Sequence, residues 1–127
     1  MKEFEELLQK ADWKQEKHVP VIMAQKMDDA IQVEATVGKG IAHPNTTVHH
    51  IAWMELYFLP DKGAFPYLIG RYDFAAHGAS AEGADTSTVY TVPKVTMLFK
   101  TEKSGTIYAL SCCNVHGLWA NKEKLNI

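Results

Sequence analysis

Six histidines and two adjacent cysteines carry most of the chemistry open to this chain of 127 residues. The stretch Cys113-Asn114-Val115-His116-Gly117 joins a soft anionic donor to an imidazole three residues on. A chain that turns between them can aim both at one metal ion, and Gly117 lets the backbone leave that turn through conformations closed to other residues. Cys112 and Cys113 cannot cross-link distant segments, so a disulfide framework is excluded and a metal or redox role in a reducing compartment is favoured. His18, His43, His49, His50 and His77 are the remaining imidazoles that could complete such a site.

The elements that must hold these residues are mostly strands. Phe4, Leu7, Leu8 and Ala11 have helical spacing and predict a short amphipathic helix over 4–11. Pro20 biases Val19 to extended geometry, giving a loop at Glu16–His18 and an edge strand over 19–23. Ile31, Val33, Ala35 and Val37 alternate with polar residues as in a half-buried strand. Residues 48–59 are β-branched and aromatic, which predicts a central strand covered on both faces. Further strands are predicted over 65–72, 89–100 with Pro93 at an edge or bulge, 106–113 and 118–127. A long loop over 73–87 places His77 at the surface. About seven short strands and almost no helix indicate one domain over residues 1–127, an all-β, Ig-like antiparallel sandwich with a short N-terminal helix.

Neighbouring residues of a regular strand point to opposite faces, so His49 and His50 cannot both serve one ion unless the strand is broken there. His49, nearest the loop of His43, is the candidate, and His50 lies against the core or bonds to backbone. His18, His43, His49, Cys113 and His116 all fall in loops or at strand ends, where a sandwich gathers its sites. Trp13, Trp53 and Trp119 are read as core aromatics. Two metal chemistries compete on these residues. A cupredoxin-like copper carrier needs two histidines, a cysteine and an axial methionine after the last histidine, and no methionine follows His116. A structural zinc site needs only four donors.

The formal net charge is −2, from 13 basic and 15 acidic residues, with no basic block to hold nucleic acid. No apolar run reaches the length of a membrane span, and charged residues interrupt the N-terminus where a signal peptide would be apolar. A cytoplasmic location is expected.

Three ordered segments, Glu16-Lys17-His18-Val19-Pro20, His43-Pro44-Asn45-Thr46-Thr47 with His49-His50-Ile51, and Cys113 to Trp119, resemble the signature segments of superoxide reductase. The chain is most similar to the single-iron neelaredoxin class, since the extra desulforedoxin domain of the two-iron class needs four thiolates. The resemblance implies one iron ion held by His18, His43, His49 and His116 in a plane, with Cys113 as axial ligand. It further implies Glu16 as sixth ligand in the ferric state and Lys17 beside it as a catalytic cation. The implied reaction takes superoxide to hydrogen peroxide, without releasing dioxygen, on an electron from rubredoxin or a similar small protein. A homotetramer is also implied. Val48 stands where relatives often carry an acid, and Cys112 replaces a common tyrosine.

Overall fold

A computed structural model describes residues 1–127. Burial alternates along its strands: Ile31, Val33 and Ala35 in one, and Gly105, Ile107, Ala109, Ser111 and Cys113 in another, are the buried members of their runs. That is the period of a strand with one face against a core. Seven strands result: β1 (Val21–Met27), β2 (Ala30–Thr36), β3 (Ile51–Pro60), β4 (Tyr67–Asp73), β5 (Lys94–Phe99), β6 (Gly105–Cys113) and β7 (Gly117–Leu125). A three-stranded sheet, β1-β2-β5, faces a four-stranded one, β4-β3-β6-β7, and every pairing is antiparallel. Three strands on four is the Ig-like sandwich the alternation predicts.

The core runs between the sheets and includes Ile31, Val33, Met54, Leu56 and Ile107. Burying each such side chain contributes about 1.5–3 kcal/mol. Cys113 closes this core at one end, only 2% exposed and paired across the sheet with Ile51. At that same end β1 begins, β2 and β6 end, and β3 and β7 begin. The segments bearing all the candidate donors are therefore gathered on one rim.

Several elements differ from expectation. The N-terminal helix is only a 3-10 turn, Phe4–Leu7, with Phe4 and Leu7 exposed. A helix that short needs a buried face to persist. The chain instead lays Gln9 along β7, where Gln9 N donates to Leu118 O and Ala120 N to Gln9 O, at 3.0 and 2.9 Å. β3 starts at Ile51, so His49 and His50 precede it, and its burial alternates instead of covering both faces. β5 starts only after Pro93. None of the three tryptophans is in the buried core; each is half-buried.

Candidate metal centre

Three segments bring donors to the rim. His18, 5% exposed, lies just ahead of β1, in a segment tied down when Ser111 Oγ donates to His18 O (3.3 Å) and Asn121 Nδ2 to Pro20 O (2.9 Å). His43 and His49 belong to the loop between β2 and β3, whose turn is closed by Thr46 N to His49 O at 2.9 Å and His49 N to Thr46 Oγ1 at 3.1 Å. Cys113 and His116 flank the turn between β6 and β7. Gly117 ends that turn at φ +81°, and a Cβ there would meet nothing closer than 3.7 Å. Glycine is needed there for its backbone angle, not for space.

The donor atoms of His18, His43, His49 and Cys113 all lie within 4.8 Å of one another. That spread is comparable with the roughly 4 Å separating opposite donors around one ion. His116 Nδ1 joins them, 3.2 Å from His18 Nε2 and 3.9 Å from Cys113 Sγ. The four imidazoles form a closed ring in the order His18, His43, His49, His116, with successive centroids 4.8, 4.8, 5.1 and 4.9 Å apart. His18 and His49 stand across it at 6.5 Å, close to the diagonal of a square of that side.

The other ring nitrogens settle which atoms face inward. His43 Nδ1 is bonded to Pro44 O at 2.6 Å, and His18 Nδ1 to the Glu16 carboxylate. Both rings therefore offer Nε2 to the centre, as metal-bound histidines do when their second nitrogen is anchored. His43 Nε2 and His49 Nε2 are buried with no hydrogen-bond partner. An unpartnered buried polar atom is costly, and two aimed at one point beside a thiol are well matched to a cation. Cys113 Sγ also accepts from His116 N at 3.3 Å.

Burial pushes the His43 pKa down to about 4, although its bond to Pro44 opposes the shift; nearby cationic groups, Lys17 among them, add to it. His49 is lowered by burial first, then by His116 and Lys17. Both rings thus stay neutral and keep a free lone pair at neutral pH. Lys17, half-buried, has no ion-pair partner in the structure and raises the positive potential at this rim.

Glu16 is placed differently from the expected sixth ligand. Its carboxylate accepts from His18 N (2.6 Å) and Val19 N (3.1 Å) and meets His18 Nδ1, the nitrogen that faces away from the centre. Burial raises its pKa, but these bonds outweigh that and hold it below the usual range. In this conformation Glu16 orients His18.

His50 stays out of the ring, though not through strand parity, because neither histidine is in a strand. The turn at Thr46 captures its Nδ1 on Thr46 O at 2.8 Å. His77, predicted at the surface, is half-buried and stacks on His50 with centroids 3.4 Å apart. Two contributors escaped sequence reasoning. Trp119 stacks on His18 at 4.6 Å and 9°, a contact its place three residues after His116 could have suggested. Asn114 accepts from His50 N (2.8 Å) and donates to Val48 O (3.0 Å), locking the β6–β7 turn to the β2–β3 loop. An amide between two candidate ligands was its only signal.

A family profile described as Desulfoferrodoxin matches residues 10–122. The chain belongs to the desulfoferrodoxin family. It is 52% identical to the superoxide reductase of Pyrococcus furiosus, over 94% of this chain and 97% of that one. With the superoxide reductase of Pyrococcus horikoshii it shares 50% identity over 94% and 96%. Among solved structures it is similar to the superoxide reductase (neelaredoxin) of Archaeoglobus fulgidus in the reduced form, with TM-score 0.93, 54% identity and coverage of 95% and 99%. These relatives, and a fifth donor beyond what a blue-copper site uses, leave the copper carrier without support.

Proposed function

We propose that this chain is a superoxide reductase in which His18, His43, His49, His116 and Cys113 hold one iron ion. The observation that carries the reading is the ring of four imidazoles beside a buried cysteine, with His43 Nε2 and His49 Nε2 unpartnered and facing the centre. Bound ferrous iron would supply the one-electron chemistry that superoxide reduction requires, and the thiolate would donate electron density to it. The balance is superoxide plus one electron and two protons giving hydrogen peroxide, with no dioxygen formed.

The chain's own residues prepare that reaction. Lys17 presents an unpaired cation at the rim, and such focusing raises the arrival rate of a small anion by about 10 to 10³-fold. Its ammonium then orients the water that provides the first proton. Glu16 and Trp119 fix the edge and the face of His18. For Glu16 to become the sixth ligand it must leave His18 and Val19, and each bond to a charged acceptor is worth roughly 1.5–3 kcal/mol. The electron comes from a small redox protein of the rubredoxin kind. Residues 1–127 act as one domain, assembled as a homotetramer in the cytoplasm, where two unbridged thiols remain reduced.

The test is anaerobic: iron-loaded, reduced protein receives a pulse of superoxide while peroxide and dioxygen are measured together. One peroxide per superoxide with no dioxygen is the expected result, and release of dioxygen as in dismutation rejects the reading. Lys17→Ala should slow capture several-fold, within the focusing range above, and flatten its dependence on ionic strength.

A further inference from the structure

The excursion between β4 and β5, residues 74–93, supplies no donor, yet it is bonded throughout to the loop that does. Thr47 N donates to Asp85 Oδ1 at 2.8 Å, and Asp85 N returns a bond to Thr47 Oγ1 at 3.1 Å. Thr47 Oγ1 also reaches His77 O at 2.9 Å, and Asn45 Nδ2 donates to Thr91 O at 3.1 Å. His77 meets Phe74 O through Nε2 and stacks on His50, which closes the same turn. Residues 45 and 47 lie between the ligand candidates His43 and His49 and residue 50 follows them, so the excursion grips the loop on both sides of His49.

We propose that residues 74–93 form a brace that preorganises the loop of His43 and His49 for metal, with Asp85 as its central positioning residue. The inference rests on the functional reading above only in taking those two histidines as ligands. The internal build of the segment supports it. Asp85 adopts φ 55° and Thr88 φ 63°, conformations that non-glycine residues adopt at some cost and keep where surrounding contacts impose them. Tyr90 Oη donates to Asp85 Oδ1 at 3.2 Å, and Tyr90 packs so close to Gly78 that a Cβ there would lie 2.5 Å from the phenol oxygen. Gly78 at φ +92° accepts from Thr86 N and Ser87 N, at 2.9 and 3.0 Å, which curls the segment around Asp85. The bonds from Thr47 and Tyr90 outweigh the effect of burial and hold the Asp85 carboxyl below its ordinary range, so it is ionised at neutral pH.

A loop left free would have to be ordered when metal binds, whereas a braced one is ordered in advance, and preorganisation appears as affinity. Groups one shell out from a metal typically change affinity by about 10–100-fold, and Asp85, a further step away, belongs near the lower limit. The experiment is anaerobic competition for Fe(II) between the full chain and a chromophoric chelator, with urea unfolding of the metal-free protein in parallel. Asp85→Ala should weaken Fe(II) binding by about tenfold, beyond any change in metal-free stability, and Asp85→Asn, which keeps an acceptor for Thr47 N, should restore most of it. Should Asp85→Ala not fold, Thr47→Val, which removes the hydroxyl and keeps the shape, carries the same expectation. Binding by these variants within twofold of the parent, or a loss fully explained by unfolding, overturns the brace alone. A parent that takes up no Fe(II) overturns the functional reading and the brace together.

Discussion

The two halves of the site are held by different means. Cys113 and His116 sit on a turn between two strands paired along their whole length, from Gly105 with Leu125 to Cys113 with Gly117. Backbone bonds of the sheet position them, and Cys113 is part of the core itself. His43 and His49 lie in a loop with no ladder, held by the side chains of Asn45, Thr46, Thr47 and Asp85 and by a histidine stack. The strand half is fixed by the sheet ladder, and the loop half by a set of separate side-chain contacts.

The sharpest way to break this comparison is at the strand half. Cys113→Ser should abolish the thiolate-to-iron colour of the oxidised protein, whereas Cys112→Ser should keep it, since Cys112 points to the opposite face of β6. Absorption spectra of both iron-loaded variants decide the point, and colour that survives in Cys113→Ser removes the sulfur from the site. A smaller effect is expected at the seam. Asn114→Ala deletes the bonds to His50 N and Val48 O but spares the backbone bond from Asn114 N to His50 O at 3.1 Å. Each lost bond is worth about 0.5–1.5 kcal/mol, so Fe(II) affinity should fall about tenfold while the ladder of β6 and β7 stays protected from hydrogen exchange. Exchange that speeds up throughout both strands would show that the halves are not separable.

The strand half was also the more legible in sequence. Thr106 to Cys113 reads as a short apolar run that begins just after the Ser104-Gly105 turn, and the predicted strand is within one residue of the observed β6, whose burial alternates. Cys-x-x-His-Gly announced the turn through its glycine. The loop half left a pattern of residue types only: His43 and His49 could be named, but their fixing by Thr47 and Asp85, 38 residues apart, is tertiary and has no local period. The parity argument for His49 and His50 separates the two correctly, His49 among the donors and His50 bonded to backbone, but from a premise that does not hold. It assumed a strand where Thr46 and Asn114 had already drawn the backbone into a turn. Glu16 shows a further limit, since its type suits a metal ligand as well as a cap for two backbone N–H groups, and only geometry separates the two.

The smallest expected effect tests the loop half by pH. In the metal-free protein His43 keeps its proton off until pH falls to about 4, against an ordinary value of 6.5, and His49 is lowered in the same direction. Between those two values the unfolded chain binds more protons than the folded one, so stability falls as pH falls. The stabilisation is fully present above pH 6.5 and declines towards pH 4. Urea midpoints of the metal-free protein over this range should therefore drop towards acid, with a shallower slope in His43→Gln. Asn114→Ala, which removes no titrating group, should lower the whole curve without changing its slope. An unchanged slope in His43→Gln would mean that the unpartnered Nε2 of this loop is not kept neutral by its surroundings. The loop half would then meet the metal in competition with protons, and its preorganisation would be confined to shape.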